Sequence, residues 1–278
     1  MVKVVTDSLS DIPPALVQEL EITVVPLLVR FGNDVYRDRV DLTMAEFHKK
    51  LTATTTLPST SQPAIGVFEE TYSTLAKETD EIFSIHVIGA LSGTFNSAAA
   101  AAHNIAQAAI RVVDSQSVSM GLGWLAVLAA RAAKEGKNLD QIDRLVADSL
   151  RRVHIIAMLD TLEYAQRGGR LGKGAALAGS LLNVKPILSI TDGEVVPVEK
   201  PRTQQRALER IVDIAFASGP IQEIAVIHAA APEQAEQLRE MLSKTLVEAD
   251  IVVAETGPVL SAHTGPGAVG VAWITGKY

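Results

Sequence analysis

The sequence predicts an α/β protein of two domains. An N-terminal α/β/α unit on a parallel sheet is expected over residues 1–153, and a C-terminal α/β unit with a mixed sheet over residues 154–278. Three observations carry this. β-Branched apolar runs alternate with helix-period segments through the first half, the pattern of βαβ units. Asp192-Gly193 lies between two apolar runs and signals a two-residue hairpin, which a purely parallel sheet does not contain. A chain of 278 residues without a Ser/Gly/Pro-rich linker suits two modest domains packed closely, with the cleft between them as the default ligand site.

Element by element, Lys3 to Thr6 reads as a short buried strand. Pro14 to Leu20 reads as a helix, with prolines in the first turn and Asp11 as its cap. Ile22 to Val29 is a β-branched strand, and Thr43 with Glu46 three residues on forms a capping box. A helix over Gly66 to Thr79, a strand over Glu81 to Val87, a helix over Thr94 to Ala109 and a strand over Ile110 to Asp114 follow. Gly121 to Glu135 and Leu139 to Arg152 are helices separated by Gly136-Lys137-Asn138. Beyond His154 come a strand over Ile155 to Met158 and two short helical segments around Arg167 to Arg170. The hairpin Lys185 to Thr191 and Glu194 to Lys200 is next. Arg202 to Ala217 and Pro232 to Lys244 are helices, Glu223 to His228 and Asp250 to Thr256 strands, and Ala268 to Ile274 a closing strand.

Composition excludes several functions. A net charge of -7 with 4% aromatic residues argues against a nucleic-acid surface, which needs basic patches and stacking platforms. With no cysteine there is no disulfide or thiolate chemistry, and only scattered His and carboxylates remain for a metal, so no metal is expected. No run approaches the roughly 18 apolar residues of a membrane span. The first residues read directly into a strand rather than a signal peptide, so a cytoplasmic location is expected.

Polar chemistry is concentrated in a few loops. Thr60-Ser61-Gln62-Pro63 and Ser92-Gly93-Thr94 each precede a predicted helix. Such hydroxyls are usually N-caps. Two helix starts also offer free amides and positive dipole ends that bind anions, and Gly93 lets backbone approach a ligand oxygen. His263 is expected in a glycine- and proline-broken turn, His263-Thr264-Gly265-Pro266-Gly267, where a ring N–H could meet a carboxylate. Arg167-Gly168-Gly169-Arg170 places guanidiniums around a double glycine, suited to carboxylate or phosphate and equally to a surface turn. Gly265 to Gly270 matches GxGxxG, but a strand rather than a helix follows. Gly172-Lys173 lacks the rest of a P-loop, and Ser92 is not in a GxSxG elbow. These groups hold an anionic oxygen better than they cut a bond.

In this order and at these spacings, the four motifs together with Thr6-Asp7-Ser8 resemble the DegV family, fatty-acid-binding proteins that serve a separate fatty acid kinase. The resemblance runs nearly end to end. It implies a non-enzymatic lipid-binding subunit that buries the tail of a long-chain fatty acid such as palmitate and offers its carboxyl group to the kinase. The acyl phosphate is then carried to a downstream acyltransferase of phospholipid synthesis. Carried over by residue, Thr60, Ser61, Ser92, Gly93 and His263 would bind the carboxylate, and Arg170 and Arg202 would face the transferred phosphate or the partner. No other cofactor is implied. Two alternatives stay open: a serine-dependent acyl hydrolase using Ser92 and His263, and a binding module for a phosphorylated ligand. Room for the tail beside the small residues Ala98 to Ala102 is a further expectation, set against simple close packing.

Overall fold

The structure is a computed structural model and describes residues 1–54, 56–173, 184–247 and 250–276. Ten helices and thirteen strands are defined among these residues. The N-terminal part is built on a four-stranded parallel sheet of order β2-β1-β6-β7 (Thr23–Val25, Lys3–Asp7, Glu81–His86 and Ala109–Asp114). Helices α3 (Ile65–Leu75) and α4 (Thr94–His103) cover one face, packing Phe68, Tyr72, Ala98 and Ala101 over Val5 and Ile82. The alanine run of α4 therefore makes close helix packing, and leaves no room for a tail there.

The C-terminal part is a six-stranded mixed sheet of order β10-β9-β8-β13-β11-β12. Its strands are β8 (Val153–Met158), β9 (Ile187–Thr191), β10 (Glu194–Glu199), β11 (Ile221–His228), β12 (Ile251–Glu255) and β13 (Val269–Thr275). All neighbours are antiparallel except β11 and β12, which are parallel. Helices α8 (Gln204–Ala217) and α9 (Pro232–Ser243) pack on its outer face, around Trp273. The Asp192-Gly193 turn joins β9 to β10 with positive φ at both residues, as its sequence predicts. The last strand does not close an edge. β13 lies inside the sheet between β8 and β11, because its residues Val269 to Thr275 are all buried and can be covered on both sides only there.

A third sheet, β4-β3-β5 (Asp34–Arg37, Leu28–Phe31, Ser59–Ser61), forms an antiparallel flap. Here the structure departs from the sequence reading. The run from Ile22 to Val29 is not one strand, since Pro26 separates β2, in the parallel sheet, from β3, in the flap. Helix α1 (Pro14–Glu19) carries no side-chain cap, and Asp11 instead turns its carboxylate towards the C-terminal part. Helix α2 (Met44–Ala53) does begin with the expected Thr43–Glu46 capping box. Of the two helical segments expected near Arg167, one is α7 (Glu163–Arg167); residues 174–183 lie outside those described.

Helix α5 (Ser119–Lys134) lies against both large sheets, touching β1 and β6 on one side and β8, β11 and β13 on the other. Its composition explains this: small and apolar residues all round the helix leave no polar face for solvent, so both sides are buried. Trp124 Nε1 donates to Ala272 O of β13 at 3.1 Å. A second helix, α6 (Leu139–Leu150), has an ordinary amphipathic pattern and packs on α5. At Gly123 the helix meets backbone of the N-terminal part, where a Cβ would lie 2.5 Å from Ser10 O and 3.1 Å from Ile12 Cγ1. Gly123→Ala is therefore expected to destabilise the fold by about 1–3 kcal/mol despite alanine's better helix propensity. Denaturant unfolding checks this, and an unchanged or higher midpoint would show that the Ser10 loop yields freely.

Candidate functional site

Between the carboxyl ends of the parallel strands and the inner face of the mixed sheet lies a cavity, with room of about 170 Å³ for a water molecule's centre. One water needs about 10–15 Å³ of such space, so this is no packing defect. Its walls are aliphatic: Leu9, Leu27, Val87 and Val118 from the N-terminal part, Ile155, Ala157, Leu188 and Ile190 from the mixed sheet, and Val259 and Leu260. Asp7 places two of them. Its buried carboxylate accepts from Leu9 N at 3.0 Å and Val87 N at 2.8 Å, while His86, Ser84 and Tyr72 continue the bonded chain inward. That Asp–His–Ser chain is fully buried and does not border the cavity. Ser189 is the polar exception along the walls, and its hydroxyl donates to Ile155 O at 3.0 Å.

The other polar residues of the lining are Thr60, Ser61, Gln62, Ser92, Arg170, His263 and Thr264, and contacts between Thr60 and His263 and between Gln62 and Gly93 bring several of them together. Thr60 and Ser61 do not cap a helix. They form flap strand β5, paired with Val29 and Leu28 of β3, and α3 starts after Ala64 without a side-chain cap. Ser92 precedes α4, whose N-cap Gly93 offers no side chain; the first amide of the helix, Thr94 N, donates to Ser92 Oγ at 3.3 Å. Ser92 Oγ bonds Thr94 Oγ1 at 2.8 Å. A Cβ on Gly93 would come 2.6 Å from Gln62 Nε2, so Gly93 lets the flap and the α4 loop close on each other.

His263 is not in a loop. It sits near the end of a seven-residue helix, α10 (Pro258–Thr264), which the glycine- and proline-rich sequence concealed. Its Nε2 meets Thr60 Oγ1 at 2.8 Å, and its Nδ1 is buried without a partner. An unpaired buried N–H is costlier than an unpaired lone pair, so the favoured tautomer carries the proton on Nε2. Nε2–H then donates to Thr60 Oγ1, and the threonine O–H is left free to donate onward. The double glycine explains the snug fit: a Cβ on Gly168 would collide with His263 Nδ1. Arg170 is exposed at the mouth, held by Gly168 O at 2.8 Å. Arg202 is exposed and does not line the cavity.

Burial, and after it the Arg170 guanidinium, lower the His263 pKa to about 4, so the ring is neutral at pH 7. Ser92 and His263 are each bonded to another hydroxyl rather than to one another, which is not a nucleophile–base pair. Among the described residues no group of three or more His, Cys, Asp or Glu could hold a metal ion. No helix of the described residues is long and apolar enough to cross a membrane.

The comparisons with known proteins agree with this geometry. A profile described as "Uncharacterised protein, DegV family" matches residues 1–276. The chain belongs to the DegV family. A DegV domain-containing protein of Halalkalibacterium halodurans is 35% identical, with 99% of each chain covered. Two solved DegV structures superpose with a TM-score of 0.92 over 99% of each chain: a Thermus thermophilus protein at 33% identity and Bacillus subtilis DegV at 35%. Both are described as binding fatty acid. The DegV arrangement is thus an α/β fold with a parallel sheet before a mixed one.

The motifs name the polar end of this cavity but not its walls. Leu9, Val87 and Val118 follow or flank β1, β6 and β7, and only their position just beyond parallel strands marks them in sequence.

The lowered His263 pKa predicts an acid sensitivity. The unfolded ring titrates near an ordinary value of about 6.5. The folded state resists protonation, so this contribution to stability is complete above about pH 6.5 and is lost as pH falls towards 4. The melting temperature should fall over that window, and fall less in His263→Gln. Burial also lowers His48, His154 and His228, so the difference between the two proteins is the measurement. Parallel profiles would assign the loss to those other rings.

Proposed function

We propose that this protein binds a long-chain fatty acid, with the tail along the aliphatic walls and the carboxylate held by Thr60, Ser61, Ser92, Gly93 and His263. The observation that carries this is a cavity whose lining is mostly aliphatic and whose hydroxyls and imidazole are drawn together by the Thr60–His263 and Ser92–Thr94 bonds and the approach of Gly93 to Gln62. The fatty-acid binding described for the Thermus and Bacillus relatives supports it. Burying about 14 methylenes at roughly 0.8 kcal/mol each supplies on the order of 11 kcal/mol gross. A charge-assisted hydrogen bond to the head adds about 1.5–3 kcal/mol, much of it offsetting desolvation. The tail therefore supplies affinity and the polar end supplies position. In the relay His263 Nε2–H to Thr60 Oγ1, the threonine hydroxyl donates to one carboxylate oxygen, while Ser92 and the α4 amides take the other. A phosphorylated ligand would need hydrogen-bonding partners deep in the cavity, where the walls are aliphatic.

The same proposal extends to partners. The head group lies at the mouth beside Arg170, where a separate fatty acid kinase could phosphorylate it, Arg170 and Arg202 meeting the phosphate or the kinase surface. The acyl phosphate would then pass to an acyltransferase of phospholipid synthesis in the cytoplasm. The ligand lies between two domains, residues 1–153 and 154–278. The protein itself is not the catalyst.

Two measurements test this. Organic extraction and mass spectrometry of the freshly purified protein should find a C14–C18 fatty acid. Ser92→Ala should weaken its binding about 10- to 150-fold, the loss of one charge-assisted bond, and His263→Ala should weaken it by freeing the Thr60 hydroxyl from its orienting bond. A stoichiometric sugar or nucleotide phosphate would point to the other ligand class. With ATP·Mg²⁺ and fatty acid, the protein alone should make no acyl phosphate, and a cognate kinase should start turnover. Arg170→Ala and Arg202→Ala should depress turnover more than fatty-acid affinity; equal losses would make the arginines ordinary carboxylate ligands, and turnover without a kinase would sink the carrier role.

A further inference from the structure

Helix α10 forms one wall of the cavity through Val259 and Leu260 and carries His263 at its far end. Its own N-cap, Gly257, has no side chain to satisfy the first amides. Two carboxylates from distant parts of the chain do so instead. Asp11 Oδ1 accepts from Gly257 N at 2.9 Å, and Asp38 Oδ1 accepts from Val259 N at 3.3 Å. Asp11 also accepts from Ser119 Oγ at 2.6 Å and from Arg39 Nη2 at 2.8 Å, and Arg39 reaches on to Glu255 O. Both aspartates are almost wholly buried, at 2% and 1% exposure, which is unusual for carboxylates without a function or a full set of partners. Asp38 has neither a full set nor a place at the head-group site, because its Oδ2 makes no hydrogen bond.

Asp38 directly follows β4 and continues its ladder through Asp38 N to Leu27 O at 2.8 Å. Thr60 lies on β5, at the opposite edge of the same three-stranded flap. Helix α10 thus crosses the flap and is tied to both its edges, at its start through Asp38 and at its end through His263 to Thr60. We propose that Asp38, with Asp11 and Arg39, is a positioning clamp that holds α10 on the flap, sets the His263–Thr60 contact, and must open for a ligand to enter or leave the tail cavity. The ligand half of this statement rests on the fatty-acid reading above; the clamp itself does not.

The clamp has a pH signature. Burial, opposed by the Ser8 hydroxyl and Arg39 and helped by Asp11, raises the Asp38 pKa to about 7. The charged groups facing it are Arg39 on the adjoining turn and Asp11 from the loop after β1; Glu255 at the end of β12 acts on Arg39 and on His48 of α2. A carboxyl raised above its ordinary value holds its proton more tightly closed than open. Through Asp38, and in the same sense through the buried Asp11, opening becomes easier as pH rises from about 4 to about 7; His263, held neutral in the closed state, acts in the opposite sense below about pH 6.5.

Amide hydrogen exchange on the full chain without added ligand tests this. After correction for intrinsic rates, the protection of residues 259–264 and of 60–61, taken relative to Asp38→Asn at the same pH, should fall together about tenfold between pH 5.5 and 7.5. Asp38→Asn, which mimics the protonated acid, should keep the protection at pH 5.5 and lose the fall towards pH 7.5, leaving only what Asp11 and His263 contribute. Asp38→Ala should lower protection about tenfold in both segments at every pH; if it fails to fold, the Asn variant still decides. Unchanged protection in both variants, or loss in α10 without loss in the flap strand, would overturn the clamp. Release of a fluorescent fatty acid should follow the same pH profile. If the wild-type protein binds none while the exchange pattern holds, the fatty-acid reading fails and the clamp stands; if it binds and release ignores both variants, the gating role is overturned.

Discussion

Everything in this molecule rests on one helix that belongs to both of its large sheets. The parallel sheet and the mixed sheet each present an apolar inner face, and α5 fills the space between them. An ordinary surface helix buries one stripe; α5 leaves almost nothing uncovered, from Ser119 to Ala133. Its small residues let both sheets come close, and the Gly123 contact with Ser10 sets how near the β1 loop can lie. That distance also sets the cavity, because Leu9 and Val118 at the two sides of this contact are part of its wall.

The second constraint is electrostatic. The polar end of the cavity combines hydroxyls, an imidazole and one guanidinium, with no carboxylate among the residues that line it. An anionic head group there meets no like charge. The imidazole stays neutral through burial, so it orients the Thr60 hydroxyl rather than forming a salt bridge. Such an arrangement would hold an anionic group less tightly than a salt bridge to the imidazole would.

Carboxylates are present nearby but are spent on architecture. Asp7 positions Leu9 and Val87, and Asp11 and Asp38 cap α10. Each satisfies backbone amides that local sequence leaves without partners, and each does so across a long stretch of chain. Arg39, paired with Asp11, also donates to the backbone carbonyl of Glu255.

The sequence by itself determined the elements whose signals are local. The Thr43–Glu46 capping box, the Asp192-Gly193 hairpin and the alternation of strands and helices need only neighbouring residues to take effect, and so they are legible. The polar motifs were legible for the same reason: hydroxyls, a histidine and glycines stand out against an aliphatic background. What only tertiary structure decided are the placements that depend on partners far along the chain. Pro26 divides an apolar run between two sheets, and Val269 to Thr275 becomes an interior strand rather than a closing one. Seven residues from Pro258 become a helix because Asp11 and Asp38 satisfy its first amides, and those carboxylates lie more than two hundred residues away in sequence. A short helix is marginal on local propensity alone. Its position, and with it the meeting of His263 and Thr60, is a property of the folded whole.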